Sequence, residues 1–182
     1  MKTPLKRILI SALAAVLTVF SFAYVSCNRD KCKTIVCANS GVCNGGTCIC
    51  PSGYEGSNCE TASRDKFIGA WGVNEKGTIT NAAQYPTSIQ RSDLITNVVI
   101  KNFNNYFLSD IRAYVVADTI YIPNQQLEGK VIFGQGFIYP NSTYGQYAFI
   151  SMAYEVVDTA TDVPDDYGYY GPDGSDPSSW NK

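Results

Sequence analysis

The chain has 182 residues, with 14 Lys+Arg against 16 Asp+Glu and no histidine. That length holds one ordinary domain plus something small. The mild acidity argues against a nucleic-acid partner, which calls for a basic patch, and the lack of histidine removes the commonest acid–base and metal-ligating side chain. Residues 1–26 begin with Lys2, Lys6 and Arg7, followed by an uncharged, proline-free stretch over 8–25 that is rich in Ala and Ser. A positive start, an apolar middle and small residues before a cleavage point make a secretory signal. The rival is a permanent anchor, since ~20 apolar residues span a bilayer. The small residues, and Cys27 directly after Ser26, favour cleavage. Export places the rest of the chain in an oxidising compartment, where cysteines pair.

There are seven cysteines, an odd number. Six of them, Cys32, Cys37, Cys43, Cys48, Cys50 and Cys59, fall within residues 32–59. Cys27 is left over. "YVSC", ending at Cys27, resembles the lipobox of bacterial lipoproteins. The resemblance implies that the Cys27 thiol receives a diacylglycerol, that the signal is cut just before it, and that the new amine is acylated. Residues 27–31 are then a lipidated N-terminus and short linker, and the partner is a lipid bilayer, with the outer membrane as the expected address. The alternative is ordinary cleavage after Ala23, which leaves a free thiol. An unpaired reactive thiol is an uncommon thing to export.

Residues 32–59 read "CKTIVCANSGVCNGGTCICPSGYEGSNC". A segment this short cannot surround a core and needs covalent staples. Spacing alone leaves 15 connectivities open. "NGGT" between Cys43 and Cys48 is a hairpin signal, because Asn-Gly suits the turn that matches strand twist. The C-x-C pair Cys48 and Cys50, followed by "PSGYEGSNC" with Gly53, Tyr54 and Gly56, resembles a short, tenascin-type EGF-like module. That resemblance implies the pairs Cys32–Cys43, Cys37–Cys48 and Cys50–Cys59. Calcium-binding members of the family carry acids just before the first cysteine. Here the text is "NRDKC", with Lys31 in that place, so the module reads as calcium-free. A zinc site is disfavoured by the missing histidine and the lack of paired C-x2-C knuckles.

After a polar linker over 60–66, the texture over 67–158 becomes rich in Val, Ile, Tyr, Phe and Thr. "DIRAYVVAD" puts Ile111, Ala113 and Val115 on one face and Arg112 and Tyr114 on the other. "AFISMAYEVV" groups Ala148, Ile150, Met152, Tyr154 and Val156. Such period-two runs, bounded by Gly, Asn, Pro and Asp, are strands joined by tight turns. Strands are expected over 67–74, 87–91, 98–103, 110–116, 119–122, 130–139 and 146–157, with an extra one near 77–80. The connections are too short for crossover helices, so the sheet is antiparallel. The expected fold is mainly β: the disulfide-rich module, then a meander that closes as a barrel or curls into a sandwich to hide its edges. "FIGAW", with Gly69 and Trp71, resembles the G-x-W signature of lipocalins. Together with "VIKNF", "TIYIPNQQ" and "IFGQG" it is similar to small bacterial surface lipoproteins of uncharacterised function. Residues 159–182 are rich in Asp, Gly, Pro and Ser and read as a flexible acidic tail.

No cofactor motif, metal set or nucleophile elbow is present, and the acids of the β domain read as surface charges. The sequence therefore points to a protein that binds and does not catalyse. The expected role is a membrane-anchored binding or adhesion module for a glycan or protein ligand, with Tyr114, Tyr121, Tyr144 and Tyr147 as its contact candidates. The alternative is a lipocalin-like carrier of a small apolar ligand within the β domain. "NST" at Asn141 is read as a turn.

Overall fold

The computed structural model describes residues 31–141, 145–171 and 174–182, together with side chains except at 140, 141 and 145–148. The signal and Cys27 lie outside the described residues. The small module is held by three disulfides, Cys32–Cys43, Cys37–Cys48 and Cys50–Cys59, the pairing implied by the EGF-like resemblance. Strands β1 (Val42–Asn44) and β2 (Thr47–Ile49) pair antiparallel around Gly45 and Gly46, the hairpin that "NGGT" announces. A second ladder joins β3 (Tyr54–Glu55) to β4 (Thr61–Ala62). β4 and a single 3-10 turn over Ser63–Lys66 occupy what reads in the sequence as a plain linker.

The large domain is a closed antiparallel barrel of eight strands. Its meander comprises β5 (Gly69–Glu75), β6 (Ala83–Arg91), β7 (Asn97–Lys101), β8 (Ile111–Val116), β9 (Thr119–Leu127), β10 (Lys130–Asn141) and β11 (Gly145–Asp158). Each of these strands pairs with its neighbour in sequence. The segment near 77–80 is not a strand; it is held instead by side-chain bonds described below. Alternation does what period two requires: Ile111, Ala113 and Val115 are buried while Arg112, Tyr114 and Val116 face outward. Gly134 lies opposite Tyr154 on β11. A Cβ there would overlap Tyr154 and the Ala153 carbonyl oxygen, so only glycine lets β10 bend so closely across its partner.

The described residues of 159–182 are not a free tail. They contribute β12 (Val163–Tyr167), which pairs with the C-terminal half of β11, and β13 (Ser178–Asn181). β13 inserts between the N-terminal half of β11 and β5 and closes the barrel. The composition conceals this because order here rests on two large side chains. Trp180 is fully buried, and Tyr167 stacks on Tyr154 at 4.4 Å between centroids. The meander alone would leave β5 and β11 with open edges, so an eighth strand has both backbone partners and a core waiting for it. The interior is packed with rings and aliphatic side chains. Phe103 meets Tyr154 edge-on at 4.7 Å and Trp180 at 5.8 Å, while Phe67, Trp71 and Phe107 are buried alongside.

The two ends of the barrel differ. At the proximal end, the loop over 91–97 and the β8–β9 turn receive the cysteine-rich module. Lys66 Nζ donates to Glu55 of the module at 2.8 Å and to Asp118 of that turn at 2.5 Å. Arg64 Nη1 donates to the carbonyls of Ser92, Leu94 and Asn97. A Cβ on Gly53 would lie 2.8 Å from Ile95 Cγ2, which shows how closely the module is seated. At the distal end the loops over 76–82, 102–110 and 159–162 meet the β9–β10 turn. Glu128 of that turn accepts the amides of Leu108 and Ser109, and the Thr159 amide donates to the Gly129 carbonyl.

Candidate binding surfaces

The outward faces of β8 to β11 carry an aromatic surface. Tyr114 and Tyr121 are directly opposite across β8 and β9, and their rings stack at 5.2 Å with 18° between planes. Phe137 and Tyr139, two residues apart on β10 and so on one face, meet edge-on at 4.8 Å. Tyr139 also touches Phe149, its cross-strand partner on β11, at 5.8 Å. Phe137 and Tyr139 are 42% and 46% exposed, more than a ring needs to be to finish a sheet. Between the rings runs a groove of about 280 Å³. It is lined by the rings of Tyr121, Phe137 and Tyr139 and by the polar side chains of Thr119, Gln135 and Ser151. The register sets these neighbours: Gln135 lies beside Tyr121, and Phe137 lies between Thr119 and Ser151.

Of the tyrosines named from sequence, Tyr114 and Tyr121 thus stand together on this surface. Tyr144 lies outside the described residues, and only the backbone of Tyr147 is described, on β11. The sequence singled out no role for Phe137 or Phe149. The signal was present, because Phe137 keeps the outward parity of Tyr139 and Phe149 alternates with the inward Ile150, but parity does not say which outward rings become neighbours.

The distal end holds a second feature that the sequence did not suggest. Glu75 ends β5 inside the rim and accepts hydrogen bonds from Tyr85 Oη at 2.6 Å, Tyr154 Oη at 2.7 Å and Ser178 Oγ at 2.7 Å. Asn104 Nδ2 adds a fourth at 3.2 Å and also donates to Tyr154 Oη at 2.9 Å. Trp180 Nε1 completes the chain by donating to Ser178 Oγ. Among the described residues no cation reaches Glu75 within ion-pair distance, so neutral donors compensate its charge. Burial, reinforced by the Glu75 charge, pushes the phenols of Tyr85 and Tyr154 above the ordinary tyrosine value. Asn102, Asn104 and Asn105 all have left-handed backbones, φ 53°, 55° and 47°. Asparagine is among the few non-glycine residues that visit this region readily, and the bonds of Asn104 fix the loop in it.

Beside this network a cleft of about 530 Å³ opens at the rim. Ile79, Ala83, Tyr106, Val156 and Val163 form its apolar walls, and Asn104, Lys130, Asp158 and Asp165 stand among them. Asp165 accepts the amides of Ile79 and Thr80 and the hydroxyls of Thr80 and Tyr167. Burial alone would raise its carboxyl, but these donors outweigh it and hold the group below the ordinary aspartate value. Among the described residues no group of three His, Cys, Asp or Glu could hold a metal ion. No protein-family model matches the chain.

Proposed function

We propose that the protein is a non-catalytic binding module, anchored to a bacterial outer membrane through acylated Cys27, that recognises glycans with the outer aromatic face of β8 to β11. The observation that carries the reading is the groove lined by Tyr121, Phe137 and Tyr139 together with Gln135, Thr119 and Ser151. A pyranose has an apolar C–H face and a rim of hydroxyls. Rigid, half-exposed rings suit the first. An amide with both donor and acceptor, flanked by hydroxyls, suits the second.

The three disulfides fit an exported, oxidising setting. The module docks at the proximal end of the barrel and follows Cys27 in the chain. The half-buried Glu75 and Asp165 are each engaged by several donors within the protein, which supports a binding role over a catalytic one.

Membrane fractions from expressing cells, probed on a glycan array with parallel mass spectrometry, test the proposal. The expected result is acylated Cys27 and glycan capture that Tyr121→Ala with Tyr139→Ala abolishes. A mature chain beginning at Tyr24 with a free thiol would overturn the anchor. Capture unchanged in the double variant, or glycoside hydrolysis lost on replacing one carboxylate, would overturn the recognition.

A further inference from the structure

We infer that the distal cleft is a second binding site, taking a small apolar molecule that is neutral or positively charged. This site lies at the opposite end of the barrel from the docked module and does not depend on the glycan reading. Its volume, about 530 Å³, falls in the range of small-molecule pockets, ~300–1,000 Å³.

Three exposed apolar side chains, two from separate loops and one from the start of β12, converge on its opening: Ile79 at 61%, Tyr106 at 47% and Val163 at 45% exposure. Single exposed apolar residues are ordinary on a protein surface. Convergence around one concavity, continuous with the half-buried Ala83 and buried Val156, is the mark of a binding site. The core beneath is filled with rings, so an apolar ligand has its place at this mouth and not along the barrel axis.

The charged groups of the cleft and Asn104 are already engaged within the protein, which makes the site preformed. Asp165 ties the loop over 76–82 to β12 through Ile79 and Thr80. Asp158 accepts Lys130 Nζ at 3.1 Å and the amides of Ala160 and Thr161. Asn104 is spent on Glu75 and Tyr154. With these bonds made within the protein, the gain left for a ligand is burial of apolar surface on rigid walls.

Charge then selects among apolar ligands. Two carboxylates, Asp158 and Asp165, stand in the lining against one ammonium, Lys130, which is paired with Asp158 and sits 4.9 Å over the Tyr106 ring. The balance is negative, so an anionic head group meets repulsion and a neutral or cationic one does not.

The purified protein should be titrated with Nile red, a neutral apolar dye, and with dodecyltrimethylammonium and dodecyl sulfate below their micelle concentrations. Amide chemical shifts give the location. Expected are saturable binding of the dye and the cation, shifts confined to 79–83, 104–106 and 156–163, and sulfate binding at least about tenfold weaker. Ile79→Asp and Val163→Asp, at exposed positions, should abolish dye binding while near-UV circular dichroism stays native. No saturable binding of dye or cation would overturn the inference. So would sulfate binding as tight as the cation, or shifts centred on the outer aromatic face.

Discussion

Glu155 behaves unlike the other acids of the barrel. It lies on β11 directly opposite Asp166 on β12 and is only 5% exposed. Asp166 is itself buried and accepts the amides of Gly168, Tyr169 and Tyr170, so it has a fixed place in the turn after β12. Burial raises the Glu155 carboxyl, a hydrogen bond from Tyr170 partly offsets this, and the Asp166 charge adds to the rise. A raised value means that the folded state holds the Glu155 proton more tightly than the unfolded state. Its stabilising contribution is therefore full below the unfolded glutamate value of ~4.3 and is lost as pH rises through the folded value. Glu155→Gln, which mimics the protonated acid, should raise the melting temperature at pH 7 and lose that advantage below about pH 4. A variant less stable than the parent at pH 7 would show that the carboxylate is better satisfied than its burial implies. Asp165 acts with the opposite sign. Its lowered carboxyl contributes stability above the ordinary aspartate value that disappears on acidification.

At the scale of elements, β13 has the largest effect for its length. Its four residues supply the pairing that joins β11 to β5, and they bring Trp180 into the core and Ser178 to Glu75. Truncating Trp180 removes a large, fully buried ring that also donates to Ser178. Trp180→Ala should cost about 3–5 kcal/mol, the usual range for a buried aromatic reduced to a methyl. Urea denaturation followed through Trp71 fluorescence measures it. A loss below about 1 kcal/mol would mean that the barrel closes without this anchor. β10 and β11 illustrate the complementary point. Their long ladder needs the glycine at 134 because Tyr154 occupies the space a side chain would take, so a residue that looks like a strand breaker is what lets the strand curve.

At the scale of the whole molecule, the cysteine-rich module and the barrel are joined by charge as well as by chain. Lys66, with a side chain 5% exposed, bridges Glu55 of the module and Asp118 of the barrel. Burial would lower its ammonium value, but the bonds to Asp118 and Glu55 outweigh this and raise it. The bridge therefore holds from neutral pH up to the ordinary lysine value and weakens only above it. Both carboxylates keep partial access to water, at 32% and 48% exposure, so losing the lysine strands neither of them. Lys66→Ala should thus loosen the junction more than it unfolds either part. Nitrogen-15 relaxation should give one rotational correlation time for module and barrel in the parent and two in the variant. A single shared time in the variant would assign the docking to Arg64 and the Gly53 contact alone.

The sequence by itself determined what is local. Six cysteines and a turn-forming "NGGT" define the small module, because so short a segment has no other way to hold a shape. Alternation over 67–158 defines the strands and their inward faces, because side-chain parity along a strand is set by the backbone and survives any arrangement of neighbours. The stacked pair Tyr114 and Tyr121 was half legible: each was visibly outward, but their apposition depends on the register of β8 against β9. Tertiary structure alone decided the remainder. Ser178 reaches Glu75 across 103 positions of chain, and no pattern in "GPDGSDPSSWNK" announces a strand, since its order comes from a gap in the barrel that exists only once seven other strands have paired. The distal cleft has the same origin, assembled by loops far apart in the chain that meet where the strands end. Local propensity fixes which residues face inward; closure of the sheet fixes which of them meet.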